Sequence, residues 1–195
     1  MEKKTISYEY YSPTKIFHMS QKLGIKILES GFKPNCLVGI SRGGLWIVRI
    51  LADILDISDI FTIFIKYYTG IAETREKPEI LQKPPEHFIK NRTIVIVDDV
   101  ADKGYSLQAA VNLLKSMNVG DIKTATLHYK PWSIIKPDYY VKETSSWVIY
   151  PWEIYETIRM IMEKKGLTYE EKVKELRRTG IPRKYLKPEH LSKFT

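Results

Sequence analysis

The chain has 195 residues, 44% apolar and 28% charged, with a formal net charge of +8 and one cysteine. That length and apolar content suit one domain with an appendage and a sizeable core. The lone thiol excludes an internal disulfide, and no apolar run approaches the ~20 residues of a membrane span.

A basic balance points to anionic partners, whether phosphorylated metabolites, nucleic acid or a membrane surface, or else to a lysine-rich solvated surface. The opening MEKKTISYEYY has no signal-peptide pattern, so a cytoplasmic location is expected. Ser12 as N-cap, Pro13 in the first turn and Gly31 past the end frame a helix over 12–31. CLVGI (36–40) reads as a buried strand, with Cys36 a small core residue rather than a nucleophile. SRGG (41–44) is a turn, LWIVRILADIL (45–55) repeats apolar residues at helical spacing, and IFTIFIKYY (60–68) is strand-like. The next 24 residues, 69–92, are polar and hold three prolines, which reads as a long loop, functional or disordered.

TIVIV (93–97) is a buried strand that runs into Asp98 and Asp99. SLQAAVNLLKSMN (106–118) is an amphipathic helix with Leu107, Ala110, Val111, Leu114 and Met117 on one face. TATLHY (124–129) and WVIY (147–150) complete the strands. Strands alternating with helices predict an α/β fold with a mainly parallel sheet. From 151 onward the pattern is helical. Gly166 and Gly180 act as stops, and Thr168 and Glu171 stand at capping-box spacing, so about three helices are expected.

Asp98, Asp99 and Asp102 stand where ligands bind in open α/β sheets, beyond the carboxyl end of a strand. Buried acids are costly unless they serve a partner. Adjacent carboxylates accept hydrogen bonds from a vicinal diol or hold Mg²⁺. The backbone of KGYS (103–106), opening a helix, favours a phosphate. Diol, metal and phosphate together describe a ribose 5-phosphate site. The bland alternative is an acid pair serving as turn and helix cap. The order of strand, three acids, glycine, hydroxyl and amphipathic helix argues against it. His18, His87, His128 and His190 lack ligand spacing, so no zinc site is expected.

VIVDDVADKGYSL (95–107) resembles the motif by which type I phosphoribosyltransferases bind 5-phosphoribosyl 1-diphosphate (PRPP). VGISRGGL (38–45) resembles the pyrophosphate loop of their 6-oxopurine branch, the xanthine–guanine and hypoxanthine–guanine enzymes. KPWSIIKPDYYV (130–141) and SSWVIYPWE (145–153) resemble the base-binding segment of that branch. The likeness covers roughly residues 12–153.

The resemblance implies a type I phosphoribosyltransferase fold, with a mainly parallel five-stranded sheet flanked by helices. Residues 1–150 would form the core, with a base-binding segment at 130–153, and 151–195 a C-terminal helical extension. The implied activity is purine salvage: the 5-phosphoribosyl group passes from PRPP to a purine base, giving a purine mononucleotide and pyrophosphate. Mg²⁺ is the implied cofactor, and a homodimer is expected. Neither a membrane nor nucleic acid is an expected partner.

By the same resemblance Asp98 and Asp99 bind the ribose hydroxyls and the metal, and Asp102 lies near purine N7 as general acid/base. Lys103, Gly104, Tyr105 and Ser106 cradle the 5′-phosphate. Ser41, Arg42 and Gly43 bind pyrophosphate, with a cis peptide between Ser41 and Arg42. Lys66 and a loop carrying Arg75 and Glu76 close over the reacting centre. Lys130 donates to purine O6, Trp147 stacks on the ring, and the Val148 backbone meets the base edge.

Two departures stand out. The family usually has threonine where Lys103 and Ser106 stand; Ser106 keeps the hydroxyl, whereas Lys103 either adds an ammonium beside the phosphate or faces solvent. The tail also runs about 42 residues past PWE, and residues 163–195 carry ten Lys and Arg against five Asp and Glu. It reads as a lid, a dimer element, a small nucleic-acid-binding unit or a charged, solvated helical bundle. It resembles the extended C-termini of some archaeal purine phosphoribosyltransferases, where such a scaffold can serve adenine, so the base stays open. A regulator that keeps the PRPP site without catalysis is a further reading; the base-stacking residues and closing loop argue for an active enzyme.

Overall fold

A computed structural model describes residues 6–69 and 76–194. The chain runs through β1 (Tyr8–Tyr10), α1 (Pro13–Glu29), β2 (Cys36–Ser41), α2 (Gly44–Ile54), β3 (Ile60–Thr69) and β4 (Glu76–Gln82). Next come α3 (Glu86–Ile89), β5 (Ile94–Ala101), α4 (Tyr105–Ser116), β6 (Ile122–Tyr129), β7 (Tyr139–Glu143) and β8 (Trp147–Ile149). Then follow α5 (Ile154–Met162), α6 (Tyr169–Arg178) and α7 (Pro188–Leu191), with 3₁₀ turns at Arg183–Tyr185 and Ser192–Phe194. Two compact units result. One is Phe17–Thr144; the other joins the segment up to Ile16 to the chain from Ser145 onward.

The larger unit is built on a six-stranded sheet of order β4-β3-β2-β5-β6-β7. All its pairs are parallel except β3–β4. The first five residues of β2 and the first four of β5 are buried, as continuous apolar strands must be when both sheet faces are covered. Ile40, Ile63, Ile94, Ile96, Leu107 and Leu114 share one core cluster there. The chain leaves β2 towards β3 on one side and leaves β5 towards β6 on the other. The order therefore reverses between β2 and β5, and that switch point opens a crevice at the strands' carboxyl ends.

Two strands of this sheet were not legible as strands. β4 lies inside the stretch read as a loop over 69–92, which also contains α3. It contains Lys77, Glu76, Glu79 and Pro78, a composition tolerated because β4 is the sheet edge. β7 is held by Asp138. Its Oδ2 accepts from Thr124 N and Oγ1 at 2.8 Å each, and its Oδ1 accepts from Lys123 Nζ at 2.9 Å. The expected five-strand sheet thus gains β4 and β7, and Trp147–Ile149 pairs elsewhere. β5 also runs past Val97 to Ala101, so Asp98 and Asp99 are strand residues.

In the smaller unit β8 pairs in parallel with β1, in the register Tyr8↔Trp147 and Tyr10↔Ile149. Ile149, Ile154, Ile158, Ile161, Met162 and Leu176 form its core. The expected boundary at 150 falls inside this unit. The capping signals act as read: Glu171 N donates to Thr168 Oγ1 at 3.3 Å, and Thr168 N donates to Glu171 Oε2 at 2.8 Å. Gly166 and Gly180 adopt φ of +75° and +78°. Tyr8 Oη and Lys164 Nζ both donate to Glu175 Oε1, the latter at 2.6 Å.

Burial pushes the carboxyls of Asp138 and Glu175 up, but the hydrogen bonds from Lys123 and Thr124 on one, and from Lys164 and Tyr8 on the other, hold both below their ordinary values. A depressed carboxyl stabilises the fold above its ordinary pKa, here 3.8 and 4.5, and that contribution is lost as pH falls through the lower folded value. Thermal unfolding should therefore move to lower temperature on acidification below pH 4.5, and Asp138→Asn should flatten part of that dependence. Thr168→Ala should cost α6 about 1 kcal/mol, read as faster amide exchange in its first turn.

Candidate active site

Two strand-to-helix turns meet at the switch point. β2 and β5 are neighbours in the register Gly39↔Val97, so the turn after Ser41 lies beside the acidic end of β5. A Cβ built on Gly43 would stand 2.2 Å from Asp99 Oδ2, and one on Gly44 would stand 2.2 Å from the Val97 carbonyl oxygen. Only glycine allows this approach. The Ser41–Arg42 peptide is cis. Arg42 is exposed, whereas Asp99 is 6% exposed and its N–H donates to Asp98 Oδ1 at 3.0 Å.

Beyond Asp99 a cavity of about 290 Å³ is lined by Asp98, Asp99, Asp102 and the run Lys103–Leu107. Gly104, at φ +83°, turns the chain into α4. Neither α2 nor α4 has a side-chain cap; each starts on a glycine. In α2 the Leu45 N–H donates to Arg42 O at 3.2 Å. The first-turn amides are otherwise without a side-chain cap, and the positive end of each helix faces the turn, an arrangement that suits an anion. α6, by contrast, carries a complete capping box. The unit thus offers two anion-ready helix starts beside a pair of carboxylates.

The segment after β6 closes on the acidic turn. Lys130 N donates to Ala101 O at 3.1 Å and Ile134 N to Lys103 O at 3.1 Å. A Cβ on Gly104 would meet Ser133 Oγ at 2.4 Å, so the two loops touch there. Lys130 is buried, and its Nζ lies 5.6 Å from the Trp132 ring centroid. Trp132 Nε1 donates to Asp102 Oδ1 at 3.0 Å. Trp132, the third residue of KPW (130–132), is not among the site residues that the sequence pattern implies. Its spacing, two residues after Lys130, was the available signal.

The structure thus brings together Ser41, Arg42, Gly43, Asp98, Asp99, Asp102, Lys103–Ser106 and Lys130 in the larger unit. Lys66 stands exposed on β3, opposite Glu79 and outside the residues lining the cavity. Arg75 lies outside the described residues. Trp147 and Val148 belong to the smaller unit. Trp147 is half-exposed and its N–H donates to Ser7 O at 2.7 Å, while the Val148 side chain is buried. Cys36 is buried, which pushes its thiol up to about 11 and fits a core residue.

Among the described residues no three His, Cys, Asp or Glu side chains form a metal cage. The donor set at the strand end is two carboxylates, which fits Mg²⁺: that ion keeps several waters and takes one or two carboxylates plus substrate phosphates. No helix among the described residues is long and apolar enough to cross a membrane.

Residues 9–157 match the family model described as phosphoribosyl transferase domain, and the chain belongs to that family. Among its relatives is a xanthine-guanine phosphoribosyltransferase of Ruegeria sp., 32% identical over 126 residues, covering 62% of this chain and 69% of that one. A hypoxanthine-guanine phosphoribosyltransferase of Streptococcus pyogenes is 28% identical over 127 residues, covering 62% and 68%. Among solved structures, a purine phosphoribosyltransferase from Pyrococcus horikoshii superposes with a TM-score of 0.66 at 35% identity, covering 74% of this chain and 93% of that one. The fold is the one these enzymes share.

Gly44→Ala should destabilise the larger unit by about 1–3 kcal/mol, because a methyl group would meet the β5 backbone. Denaturant unfolding of the full chain measures this. Gly31→Ala is the control: its Cβ would meet nothing, so only the φ of +75° opposes it.

Proposed function

We propose that this chain transfers the 5-phosphoribosyl group of PRPP to a purine base, releasing pyrophosphate and the purine mononucleotide. The observation that carries this reading is the contact of the Gly43–Gly44 turn with Asp99 at the switch point. It sets a carboxylate pair between two helix starts, each ready for a phosphate. PRPP has the matching shape: a diol flanked by a monophosphate and a diphosphate.

In this reading the 5′-phosphate sits on the first turn of α4, where the Ser106 hydroxyl and Lys103 join the backbone amides. Asp98 and Asp99 accept from the ribose hydroxyls. The same two carboxylates would hold Mg²⁺, which neutralises charge on the pyrophosphate. Ser41, Arg42 and Gly43, with the start of α2, bind the diphosphate end. A purine nitrogen bonds to ribose C1 as the C1–oxygen bond to pyrophosphate breaks, and the electron pair of that bond leaves with the pyrophosphate. Such a displacement needs preorganised charge and exclusion of water more than a protein nucleophile. Asp102 holds a proton at purine N7. The Lys130 ammonium, a donor only, favours a purine with an oxo group at position 6. The names of the relatives from Ruegeria and Streptococcus support that preference. Trp147 and the Val148 backbone would serve the base, Lys66 and Arg75 the closing of the site, and two copies of the chain would form a dimer.

The test is PRPP-dependent release of pyrophosphate with hypoxanthine, guanine, xanthine and adenine in turn. Turnover with a 6-oxopurine and little with adenine is expected. Turnover with adenine alone would reverse the role given to Lys130, and turnover with none would overturn the reading. Asp99→Asn should weaken PRPP binding by about tenfold or more while the fold survives, since it removes one charge from the pair. Calorimetric binding equal to the parent's would remove Asp99 from the site.

A further inference from the structure

Trp132 has no role in the core. It is 53% exposed on a loop, yet both of its polar and aromatic contacts go to residues of the candidate site. Its indole N–H, a donor with no acceptor function, meets Asp102 Oδ1 at 3.0 Å. Its ring faces the Lys130 ammonium at 5.6 Å. The backbone on both sides is pinned: Lys130 N donates to Ala101 O, Ile134 N to Lys103 O, and Ser133 N to Lys130 O at 3.0 Å. Ser133 Oγ closes the loop on Ile135 O at 3.0 Å. Trp132 is thus carried on a short, tied loop across the turn that presents Asp102.

We propose that Trp132 is a positioning residue of the base site, holding Asp102 with its N–H and Lys130 with its ring face, so that the acceptor and the donor stay apart and meet different atoms of the base. The inference rests on the reading of this site as a purine phosphoribosyltransferase. The physical need is plain. Asp102 is exposed and shares Trp132 with the Lys130 ammonium, and opposite charges brought to one side chain attract each other. Such a pair would spend both groups on each other. In this structure the hydrogen-bond partner of Asp102 is the indole instead. An N–H donated to a carboxylate is a strong, directional bond, and it fixes one oxygen while leaving the other for substrate. A cation over an indole face is attracted by the ring's quadrupole and needs no N–H for that contact. Trp132 therefore touches both of the opposite charges at once.

Three variants of the full chain test this. Trp132→Phe keeps a ring for Lys130 and removes the N–H; kcat with the preferred purine should fall about tenfold, with the KM for PRPP unchanged. Trp132→Leu removes both contacts and should in addition raise the KM for the base several-fold. A kcat within twofold of the parent for Trp132→Phe overturns the proposal. So do equal losses for PRPP and base together with a lowered Tm, which would mark a folding role. A third measurement does not depend on turnover. The Trp132 indole N–H resonance, assigned by its loss in Trp132→Phe, should move upfield in Asp102→Ala. If it stays where it is in the parent, the contact is absent in solution and the proposal fails. If the resonance moves but no purine is turned over by the parent, the functional reading fails instead.

Discussion

The turn after β2 lies directly against the end of β5. The parallel register Gly39↔Val97 brings residues 43 and 44 onto residues 97–99, where a methyl group on either glycine would overlap the carbonyl of Val97 or the carboxylate of Asp99. Much of the site follows from that contact. The turn must be built of glycine, so it presents backbone rather than side chains. Asp99 is buried against that backbone. The helix that follows each strand starts with no side-chain cap, which leaves amides for an anion. Buried negative charge is costly, and in the larger unit Asp99 carries it at the carboxyl end of β5, 6% exposed.

A second approach joins the turn after β5 to the segment after β6. Gly104 takes a left-handed conformation and leaves room for Ser133 and Ile135, and two backbone hydrogen bonds tie residues 130–134 to residues 101–103. The same segment is anchored at its far end, where Asp138 grips Thr124 and Lys123 at the start of β6. Asp102, the Lys103–Ser106 turn and Lys130 therefore sit on one braced length of chain. A reaction that depends on aligning two substrates gains from such bracing, because misplacement of a reacting atom by a fraction of an ångström is expensive.

The smaller unit has its own economy. Ile154, Ile158, Ile161 and Met162 of α5 and Leu176 of α6 form a cluster with Ile149 of β8, and Tyr8 and Tyr10 of β1 pack on it. Glu175 accepts from Tyr8 and Lys164 and so links the first strand to the tail helices. The surplus of Lys and Arg over acids in residues 163–195 lies mostly on exposed positions, as expected of a solvated helical face.

Local chemistry was legible in the amino-acid order. The acids after VIV, the glycine pair after Ser41, the caps at Ser12 and Thr168, the stops at Gly31, Gly166 and Gly180, and the buried face of α4 all depend on residues a few positions apart, and each is where the pattern placed it. A resemblance in three motifs added the family. What pattern alone could not supply was which distant residues touch. β4 is an edge strand whose Lys, Glu and Pro carry no strand signature, because its pairing is specified by β3. β7 exists because Asp138 is tied to β6. Trp147–Ile149 has the look of a core strand, yet it pairs with β1 in the other unit. Trp132 was a loop aromatic until the backbone ties laid it across Asp102. Propensity and capping are short-range and are written in neighbouring residues. The contact of Gly43 with Asp99, 56 positions apart, is set by sheet register, and only the folded chain decides it.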